Sequence, residues 1–207
     1  MVAKGQRKVR SDAKKDVKST VPIELKDAIY RLAFLTNTPV MHVAELLFVH
    51  SIKNAEIVDY VATYFQREVI LNGKMYRGSL SNPSVLKQKH NGQTDRIHFR
   101  LTRESYEILA VFAYALACSH SKACAVLLEE CIHESDFISN YVEQHLEDNV
   151  SKDYMNELRE FMRYVNKGEE IHSWASLLSY ITDEVKKPFK EVKDLVEDFV
   201  IHHWKDK

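Results

Sequence analysis

Arg96-Ile97-His98-Phe99-Arg100-Leu101 alternates basic or polar residues with apolar ones at every step. That is the period-2 signal of a half-buried β-strand. Ile97, Phe99 and Leu101 are expected to face a core, and Arg96, His98 and Arg100 to face solvent. Thr102 follows as a candidate N-cap, and a helical pattern runs on through Tyr106, Leu109, Phe112 and Ala113 to end near Ala117. A second helix is expected from Ser119 or Ser121, with Cys124, Leu127, Leu128 and Cys131 on one face, and a third segment from Phe137 to Leu146.

Moving back along the chain by 80 residues aligns Leu101 with Val21, Leu109 with Ile29, Phe112 with Leu32, Ala113 with Ala33, Leu127 with Leu47 and Ile132 with Ile52, without a gap. The chain is therefore read as two copies of one strand-helix-helix unit. In the first copy Val17, Ser19 and Val21 point in, while Asp16, Lys18 and Thr20 point out. Pro22 closes the strand and opens a helix through Leu25, Ile29, Leu32 and Ala33, where its missing N–H does no harm. That helix ends near Asn37, Thr38-Pro39 starts the next with Val43, Leu46, Leu47 and Phe48, and Ile57 to Phe65 is the third segment.

The remainder of the chain divides around these copies. Residues 1–15 are a basic, flexible arm; 16–70 are the first unit with its extra helix; 71–95 are turn and linker; 96–150 are the second unit with its extra helix. Residues 71–95, from Leu71-Asn72-Gly73-Lys74 through Ser79 to Asp95, hold Gly73, Gly78, Pro83 and Gly92, which accounts for the turn and linker reading. Residues 151–207 show further helical faces, Met155, Leu158, Phe161, Met162 and Val165, then Trp174, Leu177, Leu178 and Ile181, then a helix opened by Pro188. This region is read as an oligomerisation or partner-binding element.

Composition narrows the class. In 207 residues there are 5 Gly and 4 Pro, with 45% hydrophobic and 29% charged residues, which favours long helices over sandwiches, turn-rich barrels or Gly-loop nucleotide folds. No apolar run approaches the roughly 20 residues of a membrane span. Met1 to Lys18 is basic with no apolar stretch behind it, so no secretory signal is expected and the cytoplasm is the expected compartment. Cys118, Cys124 and Cys131 are odd in number and clustered, which argues for free thiols. Cys118-Ser-His120-Ser-Lys-Ala-Cys124 has soft-metal ligand types, but Cys124 and Cys131 align with Ala44 and Ser51 and read as core, so no metal or cofactor is expected. No Walker loop, dinucleotide fingerprint, nucleophile elbow or HExxH occurs, and Glu129-Glu130 and Glu169-Glu170 are adjacent pairs that diverge. No catalytic residue is expected, and the chain is not read as an enzyme.

A six-residue strand cannot satisfy its own N–H and C=O groups, so the strands of the two copies are expected to pair antiparallel over the helices. The open face of that ribbon would carry Lys18, Thr20, His98 and Arg100. A two-stranded ribbon fits the major groove of B-DNA, where Arg can donate two hydrogen bonds to guanine O6 and N7. Lys4, Arg7, Lys8, Arg10, Lys14, Lys15 and Lys18 stand against Asp12 and Asp16 at the start of a chain whose formal net charge is only −1, the asymmetry of a protein that meets a polyanion with one end.

The run Lys18-Ser19-Thr20-Val21-Pro22, then Leu25, Ile29, Leu32 and Ala33, then Asn37-Thr38-Pro39 and Val43 to Phe48, resembles the ribbon-helix-helix (MetJ/Arc) class of DNA-binding proteins, and Arg96 onward resembles a second copy. The resemblance implies a mainly α fold, a tandem pseudo-dimer within one chain, and binding of double-stranded DNA by a transcriptional regulator, a repressor. Base contacts would fall to Lys18, Thr20, His98 and Arg100, with Asp16 and Arg96 at the ribbon ends. Phosphates would meet the backbone near Thr38, Val40, Ser119 and Ser121, and the arm through Lys4, Arg7, Lys8 and Arg10. Single chains with two such units are similar to relaxosome accessory proteins of plasmid transfer, so a DNA-architecture role in a mobile element is an alternative, and a helical protein-interaction adaptor without DNA binding is another. The sequence departs from the family pattern in three respects: Ser19 replaces an inward apolar residue, Asn37 and Ala117 stand where an inter-helix Gly is usual, and Asp16 would face phosphates. One ribbon covers few base pairs, so a homo-oligomer through 151–207 is expected, using Phe161, Trp174, Leu178, Phe189, Phe199 and Trp204.

Overall fold

The structure is a computed structural model and describes residues 13–87, 92–165 and Trp174. It is mainly helical, with two small two-stranded antiparallel sheets among the described residues. The order is β1 (Lys15–Pro22), α1 (Ile23–Leu35), α2 (Val40–Lys53), α3 (Ala55–Ala62), β2 (Val69–Leu71), β3 (Lys74–Tyr76), β4 (Thr94–Leu101), α4 (Arg103–Ala115), α5 (His120–His133), α6 (Ser135–Asn149) and α7 (Lys152–Val165). α1 and α4 are both 13 residues long, α2 and α5 both 14. Each of these pairs is displaced by the same 80 residues that align the sequence, as are the starts of α3 and α6.

β1 pairs antiparallel with β4, from Lys15 opposite Leu101 to Pro22 opposite Thr94. Lys18 faces His98, its own equivalent in the 80-residue shift, so the ladder is centred on the relation between the two copies. The alternation predicted from sequence is the alternation observed: Val17, Ser19, Val21, Ile97, Phe99 and Leu101 are buried, and Lys18, Thr20, Arg96, His98 and Arg100 are exposed. Ser19 sits at an apolar position because its hydroxyl is satisfied, donating to the Ser121 carbonyl at 2.8 Å.

Both helix pairs turn at a left-handed residue. Asn37 has φ 44 and Ala117 has φ 51, at the positions where the family pattern has Gly. The N–H of Thr38 donates to the Ala33 carbonyl at 2.9 Å and that of Asn37 to Phe34 at 3.1 Å; Cys118 to Ala113 at 3.0 Å and Ala117 to Tyr114 at 3.1 Å repeat the arrangement. This is a Schellman ending, which closes off the last carbonyls of α1 and α4 and turns the chain sharply. α5 leaves α4 at 98°. At α3, Asn54 Oδ1 accepts from the N–H of Glu56 and Ile57, so the helix starts at Ala55 and ends at Ala62, earlier at both ends than the expected Ile57 to Phe65.

The turn expected at Leu71-Asn72-Gly73-Lys74 is present, but strands flank it where only turn and linker were expected. β2 and β3 form a hairpin, and its turn residues Asn72 and Gly73 both have positive φ, 50 and 77, as a tight two-residue connection requires. Just before it the chain is held against the end of α4, where the N–H groups of Gln66 and Arg67 donate to the Ala115 carbonyl, and beyond it Asn82 Nδ2 donates back to the Phe65 carbonyl. Val85 is fully buried. The second strand also begins at Thr94, two residues before the expected start, because Thr94 and Asp95 are both exposed and add ladder bonds without any apolar alternation.

By compactness the chain divides into two units whose boundaries fall inside α1, α2 and α5. One holds residues up to Lys26 with Ala44–Cys131, the other Asp27–Val43 with residues from Ile132 on. In the first, the inner face of the ribbon lies in a core with Leu47, Phe48, Leu109, Phe112, Leu127 and Leu128, all fully buried. The Phe48 and Phe99 rings are 6.4 Å apart, and Phe65 meets Phe112 edge-on at 6.0 Å. Cys124 and Cys131 are fully buried there, as expected of core residues, and burial pushes the Cys124 thiol up to about 12. In the second unit Ile29, Leu32, Leu35, Val142, Leu146, Met155, Leu158 and Met162 are buried, and Tyr141 Oη donates to Thr36 and Thr38 hydroxyls at 3.4 Å. Among the described residues no single helix is long and apolar enough to cross a membrane.

Candidate nucleic-acid interface

The outer face of the ribbon presents three opposed pairs, Asp16 with Arg100, Lys18 with His98 and Thr20 with Arg96. Period-2 alternation places all six on one side, and the buried opposite face prevents a slip that would turn them inward. All five residues expected to read bases, Lys18, Thr20, Arg96, His98 and Arg100, therefore share one exposed surface. Sequence reasoning set Asp16 at the end of this surface, facing phosphate; its carboxylate in fact reaches across to β4. Asp16 Oδ1 accepts from Arg100 Nε at 2.9 Å and lies 3.3 Å from His98 Nε2. The Arg100 bond, with a smaller part from His98, holds the Asp16 carboxyl below its ordinary pKa. At the other end of the ribbon Lys26 pairs with Asp95, whose carboxyl is held low mainly by that contact.

The start of α5 is tied to the ribbon. Ser119 Oγ accepts from the N–H of Lys122 at 3.2 Å, capping the helix, and Ser121 Oγ accepts from the N–H of Thr20 at 3.1 Å. With Ser19 donating to the Ser121 carbonyl, β1 and the first turn of α5 are clasped by two hydrogen bonds. Ser121 is thus a structural bridge as well as a residue of a helix start, whose first-turn N–H groups lack intrahelical acceptors. Beside it Lys15 Nζ lies 4.5 Å from the centre of the Tyr106 ring, which stacks on His120 at 5.4 Å. Thr38 and Val40 stand at the start of α2, in the second unit.

Lys14 pairs with Glu45, anchoring the end of the basic arm. Lys4, Arg7, Lys8 and Arg10 lie outside the described residues. Trp174 is buried, its N–H donating to Ser139 Oγ at 3.4 Å, whereas Leu178, Phe189, Phe199, Trp204 and the Phe161 side chain lie outside the described residues. Compared with known protein families, curated proteins and solved structures, the chain matches none.

Proposed function

We propose that this chain is a double-stranded DNA-binding protein of the ribbon-helix-helix kind, with two units in one chain, that reads the major groove through the β1/β4 ribbon and acts as a transcriptional repressor. The observation that carries the reading is the sidedness of that ribbon, with Lys18, Thr20, Arg96, His98 and Arg100 exposed on one face and an apolar core on the other. Strands pair about 4.8 Å apart, so a two-stranded ribbon with its side chains fits the roughly 12 Å width of the major groove. Arg96 and Arg100 supply forks for guanine, and Lys18, His98 and Thr20 supply further hydrogen-bonding groups for base edges. The first turn of α5 at Ser119 and Ser121 and the arm at Lys4, Arg7, Lys8 and Arg10 supply phosphate contacts. A protein seated on such a site excludes others from it, which is the physical basis of repression.

Binding of a fluorescent duplex of random sequence, followed by anisotropy at low and moderate salt, tests the reading. Phosphate contacts release counterions, so affinity should fall steeply with salt. Absence of binding at both salts would overturn it and favour a protein-interaction adaptor. Assembly through residues 151–207 belongs to the same proposal, because one ribbon specifies few base pairs. Met155, Leu158, Met162 and Trp174 are buried within the chain's own second unit, so they are not groups that a homodimer would use. Light scattering of the full chain at micromolar concentration should give a dimer; a monomer, with or without duplex, contradicts it.

A further inference from the structure

Asp16 is an acid on a face proposed to meet a polyanion, and it pairs with the residue best suited to read guanine. The Asp16, Arg100 and His98 side chains are 55%, 60% and 45% exposed, so burial does not demand the contact. An exposed ion pair of this kind adds little to stability. Its consequence is geometric. Arg100 is a long side chain that would otherwise sample many rotamers, and ordering it on binding carries an entropy cost. The bond runs through Nε at 2.9 Å, so the outer edge of the guanidinium, with Nη1 and Nη2, stays available as a planar fork.

We infer that Asp16 is a positioning residue that holds the Arg100 fork toward one guanine and so sets base preference at that position. The inference rests on the ribbon reading given above. It differs from a simpler role, in which Asp16 only reduces the positive charge of the ribbon. Charge reduction weakens binding to every duplex alike, whereas positioning acts on one base pair. The carboxylate does both, and only the second is visible as specificity.

The test is selection from a pool of duplexes of random sequence by the full chain, carried out for the wild type, Asp16→Ala, Arg100→Ala and the double variant, each with its melting transition recorded. The wild type should enrich sites with guanine at one position, and Arg100→Ala should lose that preference. Asp16→Ala should lower the preference about tenfold while binding random duplex more tightly, with melting unchanged. The double variant should show no further loss beyond Arg100→Ala, since the two act as one unit. If Asp16→Ala keeps the full preference while Arg100→Ala loses it, the inference fails and the ribbon reading stands. If the wild type enriches no sequence, or Arg100→Ala leaves its preference unchanged, both fail.

Discussion

Ala117 occupies the left-handed region at φ 51, where its counterpart Asn37 has φ 44. Asn visits this region with local side-chain support, while a Cβ with none costs roughly 1–2 kcal/mol. Ala117→Gly should therefore raise stability by about 1 kcal/mol, part of the relief being offset by a more flexible unfolded chain. The urea midpoint should rise with the slope unchanged; a lower midpoint would contradict the account. A second residue-scale outcome concerns Asp16. Its folded carboxyl titrates below 3.8, chiefly through the Arg100 hydrogen bond. A depressed carboxylate contributes its stabilisation fully above the ordinary pKa and loses it as pH falls through the lower folded value. Carbon-detected NMR titration should place the Asp16 midpoint below 3.8, and Arg100→Ala should raise it. An unmoved midpoint would mean that the guanidinium is not its main partner.

The ribbon depends on what stands at its edge as well as beneath it. Ser19→Ala would remove the donor to the part-buried Ser121 carbonyl, which keeps its partner within α5, and loosen the clasp between β1 and α5 at a cost of about 1 kcal/mol for one lost hydrogen bond. Chemical denaturation should show that loss, and an unchanged midpoint would mean that water replaces the hydroxyl. The strands and helices were legible because each repeats its period twice, 80 residues apart, and Val17, Ser19 and Val21 gain from Ile97, Phe99 and Leu101 a clarity they lack alone. The β2–β3 hairpin was not, since three-residue strands are too short for alternation to be told from chance, even with Asn72-Gly73 between them. The Asp16–Arg100 pair escaped for another reason. Alternation assigns faces but leaves register open, and only the centring of the ladder on Lys18 and His98 makes Asp16 the neighbour of Arg100.

At the scale of the molecule, a net charge of −1 conceals a basic face. Asp16, Asp95 and Glu45 engage Arg100, Lys26 and Lys14, so much of the acid near the ribbon is already committed to partners. On the proposed reading, affinity for DNA comes from this local surface and the arm, and not from overall charge. Removing residues 1–10, with Lys4, Arg7, Lys8 and Arg10, should weaken binding to all duplexes similarly and make the salt slope shallower, by up to about 0.9 for each lost phosphate contact. A loss confined to a preferred sequence, seen by anisotropy, would instead place the arm in the minor groove. The central claim is that the β1/β4 ribbon enters the major groove, and methylation interference on a selected site measures it most directly. Guanine N7 lies in the major groove and adenine N3 in the minor groove. Methylation at guanine N7 within the site should abolish binding, and Arg100→Ala should remove that sensitivity at one guanine. Interference at adenine N3 alone, with guanine N7 methylation tolerated throughout, would contradict the account.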